Sequence, residues 1–168
     1  ISLGDPAGIG TEIVLKALGS NQLNENIKTI IVGCKDNIYQ TYIKLIDHGI
    51  SSIPDPKYLN IIDIPLENKF IPGIINKHSG KASFKWLYHA TNLILEGKAN
   101  ALVTAPISKI AWHKAGHQFA GQTELLGNLT NKKTSMLFTA ISPLNGWRFN
   151  TLLATTHIPL KDINNNLS

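Results

Sequence analysis

Apolar and polar positions alternate along this chain in two rhythms, one of period two and one of period three to four, and the rhythms take turns. Ile1-Ser2-Leu3 reads as the tail of a strand, a glycine-rich turn runs from Gly4 to Gly10, and Thr11 to Leu18 has helical spacing that stops before Gly19. Lys28 to Val32 repeats the strand, and Asp36 to Asp47 repeats the helix with Ile38, Tyr42, Leu45 and Ile46 on one face. Tyr58 to Ile64 is a third strand, after which Pro65, Pro72 and Gly73 argue for an irregular connection. Ala82, Trp86, Ala90, Leu93 and Gly97 recur at helical spacing and predict a long helix from an N-cap at Ser79 to Glu96. Ala101 to Thr104 predicts a short strand covered on both faces, ended by Pro106. Helices around Ser108 to Ala115 and Glu124 to Leu129 follow, then strands near Ser135 to Ala140 and Arg148 to Thr155 flanking a hairpin turn at Ser142 to Gly146. The pattern predicts an α/β sheet with helices on both sides and one antiparallel pair, with no repeat and no linker that marks an internal boundary.

Leu153 to Leu160 carries the most suggestive chemistry. This apolar run predicts a buried strand that delivers His157 at its C-terminal end, where α/β proteins gather their ligands. A neutral imidazole there can bind a divalent metal or handle a proton, and a satisfied turn histidine is the simpler alternative.

Composition narrows the function classes. With 168 residues and 43% apolar content the chain can bury a substantial core as one domain. Ile1 at the start and the polar run Asn164 to Ser168 at the end are read as marks of a fragment. The net charge of +5 comes from scattered lysines, with Lys132-Lys133 the one dense pair, so no basic stripe tracks a phosphate backbone and nucleic-acid binding is not expected. Cys34 is the only cysteine, which rules out an internal disulfide and makes the cytoplasm the expected compartment. No apolar run approaches the length of a membrane span.

Three further segments hold candidate ligand groups. Gly4-Asp5-Pro6-Ala7-Gly8-Ile9-Gly10 lies between a strand and a helix, where backbone N–H groups can meet an anion. Its glycine spacing is neither the dinucleotide fingerprint nor a Walker loop, and tight turning with close helix packing is the alternative. Thr104 and Lys109 in Val103 to Lys109 fall at another strand end, and a lysine in the first turn of a helix opposes the dipole unless it meets an anion. Gln122 and Thr123 offer an amide and a hydroxyl at a helix start, where Thr123 serves equally as a cap. His113 and His117 have a metal-compatible interval, but Gly116 between them favours surface histidines. His48, His78 and His89 have no local partner.

In order, Gly4 to Glu12, Val103 to Lys109, Phe119 to Leu126 and Leu153 to Ile163 resemble the 4-hydroxythreonine-4-phosphate dehydrogenase family of pyridoxal phosphate biosynthesis, and Ser79-Gly80-Lys81 fits as well. The resemblance spans essentially the whole chain and covers the N-terminal half of that family, so residues 1–168 are expected to be the N-terminal portion of a two-domain dehydrogenase. It implies a three-layer α/β/α fold of the isocitrate and isopropylmalate dehydrogenase-like type, incomplete because the C-terminal half is absent. It also implies oxidation of the C3 hydroxyl of 4-phosphooxy-L-threonine by NAD or NADP, then loss of carbon dioxide to give 3-amino-2-oxopropyl phosphate. A divalent metal, zinc, magnesium or cobalt, would hold the hydroxyl and polarise the emerging ketone.

By the same resemblance His157 matches the first of three metal-binding histidines, and the site is shared across a homodimer interface. Thr123 matches a substrate-binding threonine, while Gln122 stands where the usual motif has a substrate-binding histidine. Glutamine keeps a neutral hydrogen bond to phosphate or carboxylate but carries no proton at neutral pH. Asp5, Thr104 and Lys109 fall in shared motifs as possible pocket residues, and no catalytic or nicotinamide-binding residue is assigned. The readings left open are a relative acting on 4-phosphothreonate or 4-phosphoerythronate, a truncated fragment that binds without catalysis, and a phosphate-acyltransferase-like protein, which His157 in a metal motif disfavours.

Overall fold

The structure is a computed structural model that describes residues 1–20, 22–24, 26–155 and 158–167, the side chain of Asn166 excepted. It divides into two compact units, residues 1–130 and 131–168, at a junction that no glycine- or proline-rich linker marks.

The first unit is α/β. Its regular elements are α1 (Gly10–Leu18), β1 (Ile31–Gly33), α2 (Lys35–Asp47), β2 (Ile61–Asp63), α3 (Lys77–Leu95), α4 (Lys109–Lys114) and α5 (Gln122–Thr130). β1 and β2 pair in parallel from Ile31 with Ile61 to Gly33 with Asp63. Ser2 bridges Val32 on one side and Thr104 on the other, both in parallel, so the extended segments 1–3 and 103–105 continue the sheet. Side chains of adjacent strand residues project to opposite faces. Ser2, Leu3, Ile31 and Val32 are all 1% exposed, so both faces of the sheet are covered, as the three-layer expectation requires. Val14 and Leu15 of α1, Ile38 and Leu45 of α2, and Trp86 and Ala90 of α3 complete that core.

A second, smaller core joins the last three helices of this unit. Leu87 of α3, Trp112 of α4 and Leu125 of α5 are buried together, and Trp112 Nε1 donates to Ser83 Oγ at 2.8 Å. Gly80 explains how α3 and α4 come so close: a Cβ there would lie 2.0 Å from the Ala111 carbonyl oxygen. α5 ends where Asn131 takes a positive φ of 51°, a left-handed cap that asparagine tolerates.

Several boundaries differ from the pattern. α3 begins at Lys77, two residues before the expected cap, because the Asn76 side chain accepts from the His78 and Ser79 amides and Ser79 is buried inside the first turn. The Ala101 to Thr104 strand reduces to the bridge at Thr104. Val103 is 63% exposed rather than covered on both faces, because among the described residues this segment forms the sheet edge. Ile46, assigned to the buried face of α2, is exposed.

The second unit is a hairpin, β3 (Leu137–Ile141) and β4 (Arg148–Leu152), antiparallel from Leu137 with Leu152 to Ile141 with Arg148, followed by a 3-10 turn at Leu160–Asp162 and α6 (Ile163–Asn166). Ser142 N donates to Trp147 O at 2.8 Å to close the turn, where Gly146 has a φ of 72°. Among its described residues none is buried. Among the described residues of the run from Leu153 to Leu160 the expected buried strand is not seen: β4 stops at Leu152, and Leu160 is 83% exposed. A two-stranded ribbon offers no second layer under which such a run could be covered. His157, the expected metal ligand, lies outside the described residues.

Candidate functional site

The sheet order places a ligand crevice before any side chain is considered. Across the sheet the segments run 61–63, 31–33, 1–3, 103–105, so in chain order the third, second, first and fourth lie side by side. The direction of winding reverses between 1–3 and 103–105. Open parallel sheets bind ligands beyond the C-terminal ends of the strands at such a reversal, because the two following loops diverge to opposite faces.

The loops that leave this point are tied by backbone contacts. Asp5 N donates to Pro106 O at 2.9 Å, and Gly4 has a φ of 71°. A Cβ on Gly4 would sit 2.2 Å from Pro106 O, and one on Gly10 would sit 2.1 Å from Leu3 O. These two glycines are therefore accounted for by close backbone packing. Gly8 differs: it is exposed at the loop tip, and a Cβ there would meet nothing nearer than Asp5 O at 3.4 Å. Asp5 is 6% exposed, and its Oδ1 accepts from Ala7 N at 2.9 Å, so the carboxylate folds the loop back on itself.

α5 brings the amide to the same point. Leu125, anchored in the second core, fixes the helix, and Gln122 Nε2 donates to Ala105 O at 3.3 Å. Gln122 Oε1 is shielded from solvent without a hydrogen-bond partner, the one such side-chain atom among the described residues. Thr123 is the second residue of α5, inside the helix rather than capping it, because the helix starts at Gln122 and not at Glu124. Lys109, first residue of α4 behind the Ser108 cap, runs alongside Gly121: a Cβ on Gly121 would lie 3.3 Å from Lys109 Cε and 3.7 Å from Nζ. Lys109 forms no ion pair among the described residues. Thr104 stands one step back in the strand, half-buried.

The loop between α4 and α5 is held by aromatic stacking. His117 lies face to face with Phe84, centroids 3.6 Å apart at 3°, and burial, then the nearby Lys81 charge, hold its imidazole below the ordinary histidine pKa. His113 and His117 do not form a metal pair, since α4 ends at Lys114 and Gly116 turns the chain with a φ of 90°. Among the described residues no three His, Cys, Asp or Glu side chains converge to hold a metal ion.

Two contacts at this sheet end were not anticipated. Thr11 Oγ1 donates to Asn37 Oδ1 at 2.7 Å, joining the starts of α1 and α2, and Asp63 Oδ1 accepts from Lys35 N at 2.8 Å. Local pattern does not reveal them, because each joins residues 26 or more apart in sequence. Taken together, Asp5 meets Pro106, Gln122 meets Ala105 and Lys109 runs beside Gly121 at the winding reversal, with Thr123 the next residue of α5.

A family model described as pyridoxal phosphate biosynthetic protein PdxA matches residues 23–168. A 4-hydroxythreonine-4-phosphate dehydrogenase of Synechococcus sp. (strain RCC307) is 51% identical over 164 residues, covering 97% of this chain and 49% of the relative. A D-threonate 4-phosphate dehydrogenase of Pectobacterium atrosepticum is 34% identical over 172 residues, covering 96% of this chain and 51% of the relative. The crystal structure of a 4-hydroxythreonine-4-phosphate dehydrogenase from Klebsiella pneumoniae superposes with a TM-score of 0.74 at 32% identity, over 97% of this chain and 51% of that one. One from Burkholderia phymatum gives a TM-score of 0.76 at 25% identity, over 95% and 50%. The chain spans about half the length of the curated relatives it matches.

Proposed function

The chain belongs to the family of the pyridoxal phosphate biosynthetic protein PdxA, and from that premise we propose that it contributes the sheet-end half of a substrate site in an NAD- or NADP-dependent dehydrogenase acting on 4-phosphooxy-L-threonine. The observation that carries the reading is the placement of Gln122 against Ala105, with Lys109 beside Gly121, at the winding reversal of the sheet.

In this reading Lys109 pairs with the phosphate or carboxylate of the substrate, while Gln122 and Thr123 hydrogen-bond its polar groups and so orient it. The second core behind Leu125 and Trp112 keeps α5 and α4 in register, so the three groups approach the ligand as a unit. A bound nicotinamide supplies a hydride acceptor. Oxidation removes hydride from C3 and the hydroxyl proton to solvent, leaving a ketone next to the aminated carbon. The C1–C2 bond of that 3-oxo acid then breaks, carbon dioxide leaves, and the bonding pair passes to C2 through the enol form of the ketone, which is reprotonated. By the family resemblance His157 would be one metal ligand from this segment, with the others from a partner subunit and from further sequence, in a homodimeric cytoplasmic enzyme in which the metal would polarise the substrate hydroxyl.

A second reading, supported by the likeness to a D-threonate 4-phosphate dehydrogenase, takes as substrate D-threonate 4-phosphate, which carries a hydroxyl where 4-phosphooxy-L-threonine has its amine. Steady-state oxidation of both compounds by the full-length protein, with each nicotinamide in turn and a divalent metal, tests the assignment. A higher kcat/KM for 4-phosphooxy-L-threonine is expected. Turnover of neither compound refutes the reading.

A further inference from the structure

We propose that His113 and His117 are positioning residues: they clasp the α4–α5 loop onto α3 and α4, and so fix where α5 starts relative to Lys109. That Lys109 and α5 serve a ligand rests on the dehydrogenase reading; the clasp rests on the geometry of the loop.

α4 ends at Lys114, and Gly116 then turns the chain with a φ of 90°. Residues 117–121 carry it to Gln122, the first residue of α5. The backbone bond that opens α5, from Leu125 N to Gly121 O, is long at 3.4 Å, so the helix holds its own entry weakly. Two histidines supply what the backbone does not. His113 is exposed in the last turn of α4, and its Nε2 lies 3.2 Å from the Phe119 carbonyl oxygen. A carbonyl only accepts, so that nitrogen carries the hydrogen and donates it. His117 N donates to Trp112 O at 2.9 Å, and its ring lies flat on Phe84 of α3 with centroids 3.6 Å apart.

The two helices that the histidines grip are themselves locked together. Gly80 of α3 lies so close to Ala111 of α4 that no Cβ would fit, and Trp112 Nε1 donates to Ser83 Oγ. Phe119 also packs into the second core, but apolar contact is non-directional and leaves the placement of the loop to the hydrogen bond and the stack. The loop ends at buried Gly121, where a Cβ would lie 3.3 Å from Lys109 Cε. Lys109 belongs to α4 and Gly121 to the clasped loop, so slack in the clasp changes the spacing of Lys109 from Gln122 and Thr123. Both imidazoles are engaged within the protein, His113 with Phe119 and His117 with Phe84, and act on the ligand only through that spacing.

The test uses the full-length protein with nicotinamide and a divalent metal. It reads hydrogen exchange at the Leu125 amide, and the KM for 4-phosphooxy-L-threonine and for nicotinamide. His113→Ala removes the hydrogen bond from an exposed position and keeps the test open if His117→Ala does not fold. His113→Gln retains an N–H donor, and His117→Phe retains a flat ring. Each alanine variant should speed exchange at Leu125 and raise the KM for 4-phosphooxy-L-threonine about two- to tenfold, the worth of one such contact. The KM for nicotinamide should stay within about twofold, and the glutamine and phenylalanine variants should restore the parent values. In a Lys109→Met background the alanine substitutions should raise the substrate KM far less, because the group whose spacing they set is gone. Faster exchange with an unchanged substrate KM makes the histidines merely structural and overturns the proposal. So does a raised KM that glutamine and phenylalanine fail to rescue, or the same KM penalty with and without Lys109. A parent protein that turns over no phosphorylated compound overturns the dehydrogenase reading instead, and unchanged exchange at Leu125 in the alanine variants overturns the clasp whether or not that reading stands.

Discussion

Adding one methyl group to each of the three loop glycines separates packing from ligand contact at the sheet end. Gly4→Ala forces an alanine into a φ of 71°, which costs about 1–2 kcal/mol. It also drives a Cβ to 2.2 Å from Pro106 O, a backbone atom that can move only if the crossing of the two loops opens. Overpacking of that kind costs about 1–3 kcal/mol, so the total is about 2–5 kcal/mol, a large share of the 5–15 kcal/mol that holds a domain folded. Gly10→Ala has no φ penalty, and its 2.1 Å approach to Leu3 O is offset by the gain of up to about 1 kcal/mol from alanine in a helix. A net loss of about 0–2 kcal/mol is expected. Gly8→Ala meets only Asp5 O, at 3.4 Å, and should change stability by no more than about 0.5 kcal/mol. Urea melts of the full-length protein, checked for a constant m-value, read these differences directly. The expected order of destabilisation is Gly4, then Gly10, then Gly8, with any effect of Gly8→Ala appearing in ligand affinity. A Gly8→Ala protein as unstable as Gly4→Ala, or a Gly4→Ala protein of normal stability, refutes the packing argument.

Three further outcomes follow from the same structure. Trp112→Ala should cost about 3–5 kcal/mol, because Trp112 is fully buried between α3 and α5, while Trp112→Phe loses chiefly the 2.8 Å bond to Ser83 and some volume; chemical denaturation ranks the two. Burial and Lys81 hold the His117 imidazole below its ordinary pKa, so as pH falls below about 6.5 the unfolded chain binds the proton first and stability declines with it. His117→Phe keeps the stack on Phe84 and should remove this part of the slope in melting temperature against pH; an unchanged slope assigns it to another group. Residues 1–168 expressed alone should turn over no 4-phosphooxy-L-threonine, since their described part assembles no set of three metal ligands; measurable reduced nicotinamide from that segment contradicts the shared-site reading.

What could be read from the residues depended on how local the cause was. The strand, glycine turn and helix at Ile1 to Leu18 rest on adjacent residues, and β1, α2 and β2 follow the expected order within a few residues. The start of α3 was misplaced because Asn76 and Ser79 are both competent caps three residues apart, and only burial of Ser79 decides between them. The exposure of Val103 and the early end of β4 depend on what lies beside them in space, which an apolar run does not encode. The site divides in the same way. Gln122, Thr123 and Lys109 stand out as polar groups at element starts, and of these Gln122 meets Ala105 while Lys109 runs beside Gly121. The orientation of the Gln122 amide was not legible, because it is set by Ala105, 17 residues away in sequence.

Hydride transfer from C3 is the central claim, and isotope tracing tests it most directly. The full-length protein would be given 4-phosphooxy-L-threonine deuterated at C3, with oxidised nicotinamide and a divalent metal, and the reduced nicotinamide analysed by mass. The account predicts that the deuterium is carried into the reduced nicotinamide and that carbon dioxide is released in equal amount. Unlabelled reduced nicotinamide, or labelled substrate consumed with no nicotinamide reduced, would contradict it.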